Sequence, residues 1–284
     1  MKQQPSLVIY HGNCADGFGA AWVFSRYGRQ PFDFFPGVYQ KPPPDVIDRD
    51  VILVDFSYRR EVVEKMLETA RTITLIDHHK SALEDLEPLM RNGTIATFCS
   101  MEHSGAVLAW DFLHGAGAHE GKLMPRLLRH IEDRDLWRFA LPNTREIQAN
   151  VFSYPYDFKV WDDLMYRDID DLIAAGKAIE RKHHKDIAEL VGVTLRRMMI
   201  GGHYVPVANV PHTMASDAGH LMAEKEPFAA CYYDSPDGRN FSLRSREDGV
   251  DVSAIAKSYG GGGHAHAAGF RVSFDDARLM EFKE

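Results

Sequence analysis

The chain has 284 residues, enough for one large domain or two of ordinary size. Hydrophobic residues make up 45% and charged residues 26%, a globular balance, and no apolar run approaches the length that spans a bilayer. The formal net charge of −8 argues against a long nucleic acid as partner, which needs a strongly basic face, and permits a short phosphorylated substrate. Only three cysteines occur, Cys14, Cys99 and Cys231, with no CxxC pair. No long apolar leader follows Met1, so a reducing, cytoplasmic setting is the expectation.

In chain order, Leu7 to Tyr10 is a short apolar run of strand character, and Gly17 to Tyr27 has helical spacing. Val51 to Val54 and Ile73 to Ile76 are continuous apolar runs, as expected for strands buried on both faces. Glu61 to Arg71 and Ser81 to Met90 follow them as helices. This alternation predicts an α/β fold, a parallel sheet with helices on both faces. Further helices are expected from Ser104 and over Leu123 to Ile131, and Pro142-Asn143 breaks the pattern. Asp168 to about Val191 is a long amphipathic stretch, although Gly176 costs about 1 kcal/mol relative to alanine in a helix interior. Beyond it, Tyr204–Val210, Phe228–Tyr233, Asn240–Leu243 and Gly269–Phe274 look like strands, with helices near 215–224 and 252–258. The expected organisation is a first domain over 1–165, a connecting helix and linker over 166–200, and a smaller α/β domain with a mixed sheet over 201–284. A hinge is expected near 195–203.

The chemistry clusters where the first strands end. The first runs into His11-Gly12-Asn13-Cys14-Ala15-Asp16-Gly17, the second into Asp55, the third into Asp77-His78-His79. In an open parallel sheet, ligands bind outside the carboxyl ends of the strands. A single Asp after a strand is as readily a helix N-cap or turn residue, and Asp16 and Asp55 each allow that alternative. Three such clusters at successive strand ends instead suit a divalent cation held by carboxylates and imidazoles. Glu132-Asp133-Arg134-Asp135 is either a charged helix end or a fourth source of ligands. Near the C-terminus, Gly260 to Gly269 contains consecutive glycines with His264 and His266, and backbone N–H groups exposed there can cradle an anion. Arg244 upstream can bind phosphate through two parallel hydrogen bonds.

These motifs, in this order and over nearly the whole chain, resemble the DHH phosphoesterases. Asp77-His78-His79 is similar to the signature of the family, His11 to Gly17 to its first motif and Asp55 to its second. Gly261-Gly262-Gly263-His264 with Ala267-Ala268-Gly269 resembles the motif of the associated DHHA1 domain. The layout is similar to the short oligoribonuclease and phosphodiesterase branch. The resemblance implies two divalent ions, manganese first, with magnesium, cobalt, iron or zinc as alternatives. It implies His11, Asp16, Asp55 (bridging), His78 and Asp133 as ligands, with Asp135 as the alternative to Asp133. Asp77 would orient His78, and His79 would face the scissile phosphate. Arg244, Gly262, Gly263, His264 and His103 would hold substrate. Cys14 stands where many relatives carry an aspartate, so it is either a ligand or a buried, inert thiol.

The function so implied is hydrolysis of short oligonucleotides or dinucleotides to mononucleotides by two-metal activation of water. The alternatives are a pyrophosphatase or exopolyphosphatase on the same core, or a nucleotide-binding regulator without hydrolysis. Phe152, Tyr154 and Tyr156, with His103, are candidate base-stacking residues, each equally readable as core or surface. A homodimer is possible, and no membrane is expected.

Overall fold

The computed structural model describes residues 4–275; the outermost parts of the expected domain ranges, 1–3 and 276–284, lie outside them. The chain divides into two compact units, 1–180 and 181–284.

The first unit contains β1 (Ser6–His11), α1 (Ala15–Tyr27), β2 (Phe32–Gly37), β3 (Asp50–Val54), α2 (Arg60–Leu67), β4 (Thr72–Ile76), α3 (Lys80–Arg91), β5 (Ala96–Thr97), α4 (Gly105–His114), α5 (Arg126–Asp135), α6 (Thr144–Val151) and α7 (Phe158–Tyr166). A long helix, α8 (Ile169–Thr194), begins in it. The five strands form one sheet in the order β2-β1-β3-β4-β5, every pair parallel.

Alternation along the strands assigns side chains to two faces. Val8, Ile52, Val54 and Ile76 pack with Phe18, Trp22, Trp110, Leu128 and Trp161, from α1, α4, α5 and α7. Leu7, Ile9, Val51, Leu53, Ile73 and Leu75 pack on the other side with Val63 and Met66 of α2 and Leu86 and Leu89 of α3. Helices therefore cover both faces, which is why the central strands are apolar without interruption.

β2 has no counterpart among the expected strands. It contains Asp33 and Pro36 and sits at the sheet edge, where a missing N–H is tolerated. Helices α6 and α7 are also additional to those expected.

The second unit holds the rest of α8, then β6 (Arg196–Ile200), β7 (His203–Asn209), α9 (Ala215–Ala223), β8 (Ala229–Ser235), β9 (Gly238–Arg244), α10 (Val252–Ser258), β10 (Gly262–Gly263) and β11 (Ala267–Val272). Its six-stranded sheet has the order β10-β11-β9-β8-β7-β6 and is mixed, since β7 and β8 run parallel and the other pairs antiparallel. The stretch expected as linker instead contains β6, which turns back onto β7 through Gly201 and Gly202, both with positive φ. Two consecutive left-handed residues suit a two-residue hairpin turn, and glycine adopts them without steric cost.

Trp161 is fully buried against Phe18 and Tyr156, and its indole N–H has no hydrogen-bond partner among the described residues. Trp161→Ala should therefore lower stability by about 3–5 kcal/mol in urea unfolding. Trp161→Phe, which sacrifices no hydrogen bond, should cost clearly less.

Candidate metal centre

In the strand order β2-β1-β3-β4-β5 the chain winds outward in both directions from between β1 and β3. That is the switch point of an open sheet, where a crevice forms beyond the strand ends. His11 is the last residue of β1, Asp55 follows β3, and Asp77 follows β4. Asp55 has φ of 54°, a left-handed conformation uncommon for a residue with a side chain.

Three carboxylates surround one imidazole nitrogen. His78 Nε2 lies 3.0 Å from Asp55 Oδ1, 3.5 Å from Asp135 Oδ2 and 3.8 Å from Asp16 Oδ2. The other oxygen of Asp55, Oδ2, lies 3.6 Å from His11 Nδ1. Asp55 therefore faces two groups of donors, one of His11 and Cys14, the other of Asp16, His78 and Asp135. Cys14 is at the N-cap of α1 without capping it through its side chain. Its thiol falls within 4.8 Å of the His11 and Asp55 ligand atoms.

Asp16 is anchored by the start of α4. Its carboxylate accepts from the backbone N–H of Gly105 at 2.6 Å and of Ala106 at 3.0 Å. The positive end of the helix suits that charge. A Cβ at Gly105 would stand 2.4 Å from Asp55 Cβ and 2.9 Å from Asp16 Oδ2, so only glycine permits this approach. Gly105 belongs to the site, and its sequence neighbourhood has no motif to announce it.

Asp77 is fully buried. Its Oδ1 accepts from the backbone N–H groups of His78 and His79 and lies 2.7 Å from His79 Nδ1. Asp77 thus orients the ring of His79 and touches His78 at the backbone, which differs from the expected pairing with the His78 ring.

The two aspartates of the acidic run separate. Asp135 joins the cluster. Asp133, expected as the ligand, accepts from Ala140 N, Leu141 N and Thr144 Oγ1 at 2.7, 3.1 and 2.6 Å. The reason is helical: two residues along α5 rotate a side chain by about 200°, onto the opposite face. Glu132 accepts from Ser104 N at 3.0 Å and pairs with His103 at 3.3 Å, so His103 is held by an acid.

Burial pushes the carboxyls of Asp16 and Asp135 above the usual range, and nearby acids add to it. Burial acts on Asp55 in the same direction, but the nearby His11 imidazole, the hydrogen bond with His78 and the charge of His79 outweigh it and hold Asp55 well below that range. Burial lowers His78, yet its bond to Asp55 and the charge of Asp135 prevail and raise it from 6.5 to about 9. Burial, then Asp55 and Asp135, push the Cys14 thiol well up.

A divalent cation fits these residues. Asp55 Oδ2, Asp77 Oδ2 and Asp135 Oδ2 are buried without hydrogen-bond partners among the described residues. Carboxylates and imidazoles suit manganese, iron, cobalt or zinc.

The remaining predicted residues lie in the second unit. Arg244 ends β9, opposite Ala267 of β11, and donates to Ser216 Oγ and Ser242 Oγ at 2.6 and 3.0 Å. Gly262 and Gly263 form β10 and pair with Gly269 and Ala268. His264 follows and exchanges backbone hydrogen bonds with Ala267. The glycine run is thus one arm of an edge hairpin; a Cβ at Gly261 would lie 2.0 Å from Gly269 O.

No protein-family model matches the chain. The chain is 30% identical to uncharacterized protein R106 of Acanthamoeba polyphaga mimivirus over 319 aligned positions, covering 99% of this chain and 73% of that protein. It is 24% identical to oligoribonuclease NrnB of Bacillus subtilis, a DHH-family protein, over 78% of this chain. The chain belongs to the DHH family of phosphoesterases. It spans 59% of the length of NrnB. Among solved structures, it is 14% identical to a pGpG-specific phosphodiesterase of Vibrio cholerae (TM-score 0.46; 98% and 96% of the two chains). It is 12% identical to an exopolyphosphatase-related protein of Bacteroides fragilis (TM-score 0.47; 98% and 89%).

Two measurements check the centre. Asp135→Asn should weaken Mn²⁺ binding in calorimetry about 100-fold or more, since even residues that only support a ligand change affinity 10–100-fold. Asp133→Asn should keep Mn²⁺ binding and lose stability, by about 1 kcal/mol per weakened hydrogen bond. The second is thermal. In EDTA, the raised His78 contributes stability that is complete below 6.5 and is lost as pH rises through about 9. Mn²⁺ must displace that proton, so its stabilising effect should be larger at pH 9 than at pH 6.5, read as the Tm difference with and without metal.

Proposed function

We propose that this DHH-family chain is a metal-dependent phosphodiesterase that hydrolyses short oligonucleotides or dinucleotides to mononucleotides. The observation that supports it most is Asp55, whose two oxygens face two donor groups. A carboxylate so placed would suit being shared between two divalent ions. His11, Asp55 and Cys14 would hold one ion; Asp16, His78, Asp135 and Asp55 the other. Bound divalent ions acidify water and neutralise charge on a phosphoryl group.

The protein residues take the other roles. Asp77 accepts from His79 Nδ1, which fixes the ring and leaves Nε2 to carry a proton. Burial lowers His79, but the charge of Asp77 and this bond outweigh it and raise it overall, the direction that suits a proton donor. His79 would donate it to the leaving oxygen. The start of α4 keeps Asp16 in place through two backbone N–H groups, with no side-chain motion required. Arg244, Gly262, Gly263 and His264 would bind the substrate's terminal phosphate. The name of NrnB favours an oligonucleotide over inorganic polyphosphate.

The purified chain with Mn²⁺ should release mononucleotides from a 5′-phosphorylated dinucleotide, followed by chromatography. It should release little phosphate from tripolyphosphate. The opposite preference would select the pyrophosphatase reading, and nucleotide binding without product the regulatory one. Asp77→Ala and His78→Ala should abolish turnover with the fold retained; full activity in either would remove the catalytic assignment.

A further inference from the structure

The loop that follows Asp135 contains an arrangement the metal centre does not use. The guanidinium carbon of Arg134 lies 4.7 Å from the ring centroid of Trp137 and 5.4 Å from that of Phe152. That of Arg145 lies 5.6 Å from Trp137 and 3.7 Å from Phe139. Trp137 and Phe139 meet edge to face at 4.9 Å. The order is Phe152, Arg134, Trp137, Arg145, Phe139: aromatic rings alternating with planar cations.

Building this column is costly. Trp137 and Phe139 have φ of 56° and 48°, a left-handed conformation that bulky residues rarely adopt. Asp133 holds the turn that imposes it. Its carbonyl accepts from the N–H groups of Arg138 and Phe139, and its carboxylate from those of Ala140 and Leu141. Strain of this kind at bulky residues is retained where the surroundings enforce it, and it clusters at ligand sites.

The column also ends in the open. Phe152 is 48% exposed. The other stacking candidates are otherwise engaged. Tyr156 packs on Phe18 and Trp161, Tyr154 OH accepts from Arg167, and His103 pairs with Glu132. Arg145 and Gln148 of α6 and Phe152 at its C-cap recur at helical spacing. Gln148 is buried, and neither its amide oxygen nor its amide nitrogen has a hydrogen-bond partner among the described residues.

We infer that the Phe152–Arg134–Trp137 end of this column is a nucleobase platform, beside the aspartate that opens the loop into the metal centre. A base has a π-face that stacks on an aromatic ring or a guanidinium plane, whichever base it is. Inorganic pyrophosphate and polyphosphate have no such face and gain nothing from a strained aromatic turn. The inference rests on the phosphodiesterase reading and adds to it where the base of the substrate is recognised.

The test uses the full chain with Mn²⁺ and two probes that differ by the base alone, AMP and ribose 5-phosphate, in titration calorimetry. AMP should bind about 10-fold more tightly, the range of stacking one base. Phe152→Ala should abolish that preference while leaving ribose 5-phosphate binding unchanged, which also shows that the variant is folded. Phe152→Tyr should restore the preference. Equal affinities in the unaltered chain, no binding of AMP, or a preference that survives Phe152→Ala would each overturn the inference. A chain that prefers AMP and loses the preference in Phe152→Ala, yet hydrolyses no dinucleotide, would refute the phosphodiesterase reading and leave the platform standing.

Discussion

The crowding of Asp16, Asp55 and Asp135 around His78 Nε2, with Asp77 directly behind, is the constraint on which the first unit depends. Two unit charges 4 Å apart interact by about 4 kcal/mol at an effective dielectric of 20. Net stability of a whole protein is about 5–15 kcal/mol. Several like charges cannot therefore remain buried together unless protons or cations offset them. Burial pushes Asp16 and Asp135 up, His78 is raised to about 9, and its neighbours hold Asp55 well below the usual carboxylate range. Much of the surrounding architecture supports this crowd. The start of α4 donates to Asp16, Gly105 lets that helix approach, and a left-handed backbone turns Asp55 into the crevice.

The end of α5 shows how finely such a site divides neighbouring residues. Glu132 holds His103 and the N–H of Ser104. Asp133 winds the following loop around its own carboxylate and carbonyl. Arg134 enters an aromatic stack, and Asp135 joins the acidic cluster. Consecutive side chains on a helix point about 100° apart, so four in a row reach four environments. The strained turn at Trp137 and Phe139 depends on Asp133, so the residue expected as a ligand instead shapes the surface beside the ligands.

The second unit is built differently. Arg244 and the glycine hairpin lie on adjoining strands of an antiparallel edge, where β9, β11 and β10 follow one another. The glycines there have a packing reason, the close passage of Gly261 over Gly269. Burial of Ser245 and its bonds to His266 and Val250 keep the strand end beside the hairpin in register.

Much of this was legible in the chain itself. Apolar runs at 51–54 and 73–76 announce buried parallel strands because both faces of such strands must be covered. His11, Asp16, Asp55, Asp77, His78 and His79 stand at or just beyond strand ends, where a parallel sheet opens its crevice, so local pattern and candidate site coincide. β2 was not legible, because an edge strand pairs on one side and tolerates Asp33 and Pro36. Nor was β6, whose strand character depends on its pairing with β7. Sequence alone placed the buried strands and the candidate donors that follow them, since periodicity and residue chemistry are local properties. Tertiary structure alone decided that Asp135 and not Asp133 faces the cluster and that Asp77 holds His79. It alone also brought Gly105 and Arg134 beside residues far along the chain. These depend on helix rotation and close approach, which no spacing along the chain records.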